Sequence, residues 1–79
     1  MSDSVFQAVV PVIAKHFIFE GELTPETRFI EDLGADSLDI IQLANDLENM
    51  FGITIILDDL AKMRTIADVV GYIESHRRS

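Results

Sequence analysis

Residues 33–52 constrain the fold of this chain more than any other stretch, because they specify both ends of one helix. Asp36 can cap the helix by accepting from free backbone N–H groups, and Asp39 places a negative charge in the first turn, where the helix dipole favours it. Gly52 stands where a left-handed residue commonly ends a helix. The stretch therefore predicts a helix of about four turns with Ser37 exposed at its start.

The N-terminal segment has the apolar spacing of an amphipathic helix. With Asp3 or Ser4 as its cap, the predicted helix continues to about Phe17. Pro11 lies inside it and removes one backbone hydrogen bond at a cost of about 3 kcal/mol. Because the apolar stripe stays in phase across this proline, we expect one bent helix rather than two fragments.

The second half of the chain predicts two further helices. Residues 53–57 have the β-branched character of a strand, but a lone strand would have no pairing partner, so we expect an extended linker and a short helix near residues 58–63. Thr65 opens a capping-box-like sequence for a last helix, which runs toward basic residues 76–78. The predicted fold class is all-α: a small four-helix bundle, with three longer helices, one short one and a long first loop over residues 18–35.

Apolar residues on the helix after Ser37 divide into two groups. One stripe is assigned to the core: Ile40, Leu43, Leu47, Met50 and Phe51. Leu38 and Ile41 lie beside that stripe and are expected to be partly exposed. In the long first loop, Phe29 and Leu33 are the residues expected to contact the core. Anchoring the loop in this way would turn Ser37 outward.

Acidic residues dominate the chain, with 14 carboxylates against six basic side chains and a net charge of −8. From Glu20 to Asp59 there are eleven carboxylates and a single cation, Arg28. This charge argues against nucleic acid as a partner and favours the steering of basic protein surfaces. Because the crowded charges repel one another, we also expect added salt or divalent cations to raise the melting temperature.

Other classes of function find little support in the residues. The chain has no cysteine, and its carboxylates between Asp32 and Asp39 lack EF-hand spacing, so we expect no metal site. The only histidines, His16 and His76, offer no oriented base for Ser37, so we expect no catalytic residue. No apolar run could span a membrane and the N-terminus lacks a basic signal region, so we expect a cytoplasmic protein without membrane insertion.

The sequence Asp-Leu-Gly-Ala-Asp-Ser-Leu-Asp at residues 32–39, followed by an acidic helix in a chain of this length, resembles the attachment site of acyl carrier proteins. In that family the serine hydroxyl carries 4′-phosphopantetheine through a phosphodiester, and acyl groups are held as thioesters on its terminal thiol. The resemblance implies that residues 1–79 are a single acyl carrier domain and that Ser37 is the attachment site. It also implies a carrier that is a substrate of partner enzymes and not itself an enzyme.

Partners follow from the same resemblance. They are a phosphopantetheinyl transferase that uses coenzyme A, and acyl-loading, acyl-transferring or condensing enzymes, which a monomeric carrier meets through its acidic helix. The predicted partner-binding residues are two apolar side chains and the carboxylates around them: Asp36, Leu38, Asp39, Ile41, Asp46 and Glu48.

The cargo is less constrained than the attachment site. Fatty-acid, polyketide and specialised lipid synthesis all use such carriers, and the neutral residues Gln42, Asn45 and Asn49 favour a dedicated role. Ile56 and Leu57 stand where the family commonly has a proline and an acidic residue, and we expect them to line or narrow the pocket that shelters an acyl chain. Two alternatives are an aminoacyl or peptidyl carrier and a non-carrier acidic helical interaction module.

Overall fold

Within residues 2–19 and 21–76, which the computed structural model describes, the chain forms four helices and no strand. They are α1 (Ser2–His16), α2 (Ser37–Phe51), α3 (Leu57–Leu60) and α4 (Ile66–His76). The all-α class, with three longer helices and one short one, is confirmed. None of the helices in this part of the chain is long and apolar enough to cross a membrane.

The core lies where α1 packs against both α4 and α2. Its largest fully buried side chains come from all three helices: Val9, Ile13, Leu47, Ile66 and Ile73. Fully burying a side chain of this kind contributes about 1.5–3 kcal/mol, so these three helices supply most of the favourable burial. The short helix α3 contributes no buried residue.

One continuous α1 passes through Pro11, which is exposed, as the unbroken apolar stripe predicts. Its end is also as predicted, since the N–H of Phe17 still donates to the Ile13 carbonyl at 3.0 Å. The predicted cap is wrong: α1 begins at Ser2, so Asp3 and Ser4 lie inside its first turn. The expected bend stays a prediction.

The predicted core stripe of α2 needs one correction. Leu43 and Leu47 are buried, and Ile40 and Phe51 are half-buried against the core. Met50 was assigned to this stripe wrongly, because 47% of it is exposed. At the other edge of the stripe, Ala44 is buried although the sequence analysis did not assign it. The neighbouring elements therefore cover the stripe from the Ala44 edge and leave the Met50 edge open.

The long first loop is anchored at the beginning of α4. Phe29 is buried, as expected, and its N–H donates to the Arg64 carbonyl at 3.0 Å, while the Ile66 N–H donates to the Thr27 carbonyl at 3.0 Å. Leu33 is half-buried against the core. These backbone bonds connect the loop before α2 to the end of the α3–α4 linker.

The linker after α2 is non-regular, as predicted, and leads into α3 earlier than expected, at Leu57. A reciprocal cap forms at the first turn of α4. The Asp68 carboxylate accepts from the N–H groups of Arg64 and Thr65 at 2.9 and 3.1 Å. In return, the Asp68 N–H donates to Thr65 Oγ1 at 3.3 Å. The backbone bonds from Arg64 and Thr65 hold the pKa of Asp68 below its usual value. The predicted capping box is confirmed.

Candidate functional site

Ser37 is the first residue of α2, and its side chain is exposed. The Asp39 N–H donates to Asp36 Oδ1 at 2.9 Å, and the Asp36 N–H donates to Asp39 Oδ2 at 3.2 Å. The predicted cap is confirmed, and the second bond completes a capping box around the serine. At the other end of α2, Gly52 has φ 67° and donates to the Glu48 carbonyl, which confirms the predicted left-handed end.

The loop before Ser37 is fixed on one side and open on the other. Ala35 is buried, and its N–H donates to the Phe29 carbonyl at 2.9 Å. Gly34 has φ +69°, a conformation that disfavours other residues, and no atom lies within 4 Å of where a Cβ would stand. The loop therefore holds the serine in place and leaves open space on its Gly34 side.

The single cation of the acidic stretch forms an internal ion pair. Arg28 Nε and Nη2 donate to the two Asp32 carboxylate oxygens at 3.2 Å each, and the Arg28 backbone N–H donates to Asp32 Oδ2 at 2.8 Å. These bonds, led by that from the Arg28 side chain, hold the pKa of Asp32 below its usual value. Arg28 is thus paired with Asp32, and the carboxylates nearest to Ser37 in the chain are those of Asp36 and Asp39.

Four of the six predicted partner-binding residues are close to the serine. Leu38 and Ile41 are exposed, at 62% and 47%, and Asp36 and Asp39 form the cap beside them. Two carboxylates lie farther along the helix axis: Asp46 and Glu48 are roughly 14 and 17 Å from Ser37 at 1.5 Å per residue. The structure thus gathers one small apolar patch with two carboxylates at the start of α2.

Asp46 and Glu48 are bound within the protein, on opposite flanks of α2. Asp46 Oδ2 accepts from His16 Nε2 at 2.6 Å and is 3.7 Å from Lys15 Nζ, which connects α2 to the end of α1. The bond from His16 is the main reason that the pKa of Asp46 is lowered. Glu48 Oε2 accepts from the Ile55 N–H at 2.7 Å, which connects α2 to the linker before α3.

An apolar cavity of about 10 Å³ lies between α2, α3 and α4. Its lining consists of eight apolar side chains: Phe29, Ile40, Ala44, Leu47, Ile55, Leu60, Met63 and Val69. The expectation that Ile56 and Leu57 line the pocket is wrong, since they are 58% and 67% exposed and absent from the lining. In this extended segment Ile55 turns inward instead, and it is buried between exposed neighbours.

Neither histidine is engaged with Ser37. His16 is bonded to Asp46, and His76 Nδ1 lies 2.9 Å from the Tyr72 carbonyl oxygen while its ring stacks on Tyr72. Across residues 2–19 and 21–76, no group of three or more metal-ligating side chains is present. Each histidine is therefore bonded elsewhere in the protein, and neither is placed as a base for the serine.

The start of α2 suits a phosphodiester on Ser37. In the described part of the chain, the hydroxyl of Ser37 makes no hydrogen bond, and the first N–H groups of any α-helix have no intrahelical partner. A helix N-terminus also stabilises negative charge through its dipole. An anionic group attached to this hydroxyl would lie at the N-terminus of α2 and outside the packed core.

Comparison with known proteins agrees with this geometry. The family model for the phosphopantetheine attachment site matches residues 19–73. The chain is 42% identical over 73 residues to an acyl carrier protein of Helicobacter hepaticus, covering 91% of this chain and 96% of the relative. It is 40% identical over 73 residues to an acyl carrier protein of Thermotoga maritima, covering 91% of this chain and 90% of the relative.

A solved structure is also similar over most of the chain. It comes from Mycobacterium tuberculosis and is provisionally assigned as an acyl carrier protein; the TM-score is 0.83 at 28% identity, covering 90% of this chain and 96% of that one. The matched family model identifies the cofactor as 4′-phosphopantetheine. The predicted cofactor is confirmed.

Proposed function

The chain belongs to the acyl carrier protein family, and we propose that it carries acyl intermediates as thioesters on 4′-phosphopantetheine attached to Ser37. The observation that carries this proposal is the exposed, unbonded hydroxyl at the capped start of α2, within the matched region. The cofactor supplies the thiol that a chain without cysteine lacks. Residues 1–79 would act as one carrier domain, a monomer in the cytoplasm and a substrate of other enzymes.

Loading requires a transferase and coenzyme A. The Ser37 oxygen forms the new bond to phosphorus, the pyrophosphate bond of coenzyme A breaks, adenosine bisphosphate leaves, and the hydroxyl proton passes to a base of the transferase. The capping box holds the serine at the surface during this transfer.

We propose that Leu38 and Ile41 form the centre of the surface that partner enzymes contact. Exposed apolar residues with a charged rim are the pattern of an interface with a small energetic centre. Asp36 and Asp39 would supply the rim beside the serine, and Asp46 and Glu48 its margins. The net charge of −8 would steer a basic face of each partner, such as the transferase and the acyl-handling enzymes, toward this helix.

The cavity favours an acyl cargo over an aminoacyl one. Its eight lining side chains are all apolar, so an alkyl chain can enter without leaving a polar group unpaired, whereas a charged amino group could not. We therefore place the carrier in fatty-acid, polyketide or specialised lipid synthesis. Neutral residues at positions 42, 45 and 49 of α2 favour a dedicated pathway among these.

Intact-mass analysis tests the attachment. Incubation with coenzyme A and a broad-specificity phosphopantetheinyl transferase should add one phosphopantetheinyl group to the wild type and none to Ser37→Ala. Ser75→Ala, which removes an exposed serine of α4, is the matched control and should be modified like the wild type. No adduct on the wild type, or one that persists in Ser37→Ala, would refute the proposal.

A further inference from the structure

The carboxylate of Glu48 binds the backbone of Ile55, the buried residue of the linker before α3. Glu48 Oε2 accepts from the backbone N–H of Ile55 at 2.7 Å in a partly buried setting. Hydrogen bonds to carboxylates are shorter and stronger than those between neutral groups. Ile55 is only 8% exposed, and its side chain lines the cavity. Glu48 therefore holds one wall of the cavity against α2.

Along the axis of α2, that wall lies toward the C-terminal end of the helix, because Ile55 is bonded to Glu48. Three residues of α2 line the cavity, and at 1.5 Å per residue Ile40, Ala44 and Leu47 are roughly 5, 11 and 15 Å from the serine along the axis. Glu48 is the next residue of the helix. An alkyl chain that enters from the Ser37 end would therefore pass Ile40 and Ala44 before it reaches Ile55.

Two residues of the lining, Leu60 and Met63, are less buried than Ile55. A cavity of about 10 Å³ has room for roughly one water molecule, so a longer guest must displace part of the lining. Leu60 and Met63 are half-buried, and the four-residue α3 has no buried residue and no side-chain cap. On the Ile55 side, the preceding residue is held as well, because the Tyr72 hydroxyl donates to the Thr54 carbonyl at 3.2 Å.

From this difference we infer that Glu48 is a specificity-determining residue, which sets the length of acyl chain that the carrier shelters by fixing Ile55 as the floor of the cavity. Leu60 and Met63 move aside as a chain enters, while the Glu48–Ile55 bond stays intact. The inference rests on the proposed function and assigns Glu48 a role inside the protein in addition to its place at the margin of the partner surface.

A chain-length series tests this role. Wild type and variants are loaded on Ser37 with acyl groups from butanoyl to tetradecanoyl, and the melting temperature of each loaded protein is measured. Each methylene that is buried stabilises the folded state, so the melting temperature should rise with chain length and level off once the chain reaches the floor. In Glu48→Ala the plateau should shift to longer chains, and Ile55→Ala, which lowers the floor directly, should shift it in the same direction.

Two variants of α2 distinguish a shift of the plateau caused by loss of the Glu48–Ile55 bond from a general loss of stability. Glu48→Gln keeps an oxygen that can accept from Ile55 and should retain the wild-type plateau. Asp46→Ala removes a carboxylate that also connects two elements, but on the α1 flank, and should lower all melting temperatures without moving the plateau. A plateau at the same chain length in Glu48→Ala and wild type, or an equal shift in Asp46→Ala, would overturn the inference.

Amide hydrogen exchange on the wild type gives a second reading that needs no variant. The Ile55 amide should be as protected in the protein loaded with a plateau-length chain as in the unloaded protein. Acceleration by about tenfold or more, the effect expected when a hydrogen bond to a charged group is lost, would show that the floor moves and would overturn the inference. Failure of the attachment itself appears separately, as a missing adduct in the mass spectrum.

Discussion

The two flanks of α2 are built differently. On one flank, α1 packs against both α2 and α4, and side chains such as Val9, Ile13 and Ile73 are completely buried. On the other flank, the four-residue α3 buries none of its residues and leaves a small cavity beneath it. Burial stabilises the first flank, whereas individual hydrogen bonds, such as that from Ile55 to Glu48, hold the second.

This difference indicates which flank could accommodate the proposed acyl cargo. A close-packed interior resists any change of volume, so a flank like that between α1 and α4 cannot admit a guest. A flank held by a few hydrogen bonds can rearrange locally at much lower cost than global unfolding. Under the proposed function, a variable guest would therefore be accommodated on the α3 flank without weakening the packing that keeps the domain folded.

The largest predicted effect tests the burial on the first flank. Ile13 is 0% exposed, and Ile13→Ala should lower the free energy of unfolding by about 2–5 kcal/mol through lost burial and the cavity left behind. Leu57 of α3 is 67% exposed, and Leu57→Ala, the matched truncation on the other flank, should change it by less than about 0.5 kcal/mol. Chemical denaturation measures both. Equal losses in the two variants would contradict the division between the flanks.

A smaller effect is expected at the start of α2, which is held by local hydrogen bonds. Asp36→Ala removes the cap and should cost about 1 kcal/mol, whereas Asp36→Asn keeps an oxygen that accepts from Asp39 and should cost much less. Denaturation curves give the stabilities, and mass spectrometry gives the rate of phosphopantetheine transfer. If Asp36→Asn is stable but is modified slowly, the charge of Asp36 serves the transferase. If Asp36→Asn is as unstable as Asp36→Ala, the cap itself needs the charge.

Most of the fold could be predicted because the governing signals are local in the sequence. The caps Asp36 and Gly52 and the spacing of Leu43 and Leu47 fix α2 without knowledge of any neighbour. Which edge of that stripe is covered depends on how the other elements pack, and this is why Met50 was wrongly assigned to the core.

The attachment site could be predicted from the sequence, whereas the cavity beside it could not. Ser37 and its cap are encoded by adjacent residues, so the local sequence was sufficient. The bond from Ile55 to Glu48 joins residues seven positions apart across the end of a helix, and charge alone placed Glu48 only among partner-facing carboxylates. For Ile55, the buried position between exposed neighbours follows an alternation that an extended segment would show, but that pattern gave no indication of the cavity.

Added salt should stabilise the protein by screening the carboxylates of the acidic first loop. Added sodium chloride screens the repulsion among the carboxylates, so the melting temperature of the wild type should rise with ionic strength. The combined variant Glu22→Gln, Glu26→Gln and Glu31→Gln, which neutralises exposed loop residues, should show a smaller rise. Glu74→Gln, outside the acidic stretch, is the control and should respond like the wild type. A melting temperature indifferent to salt would contradict the repulsion.

The smallest predicted effect is on the pH dependence of stability, through Asp68, which caps α4. Backbone hydrogen bonds from Arg64 and Thr65 lower the pKa of Asp68 in the folded protein below its usual 3.8. The unfolded chain therefore binds the proton first as pH falls, so the stability that this carboxylate contributes is complete above 3.8 and is lost as pH drops through the lowered pKa. Asp68→Asn lacks the titrating group, and its free energy of unfolding should fall less steeply than that of the wild type below pH 3.8. Denaturation at a series of acidic pH values measures the difference, and Asp68→Glu, which keeps a carboxylate, should retain part of the steep dependence. Parallel curves for wild type and Asp68→Asn would mean that the cap of α4 contributes to stability through geometry alone.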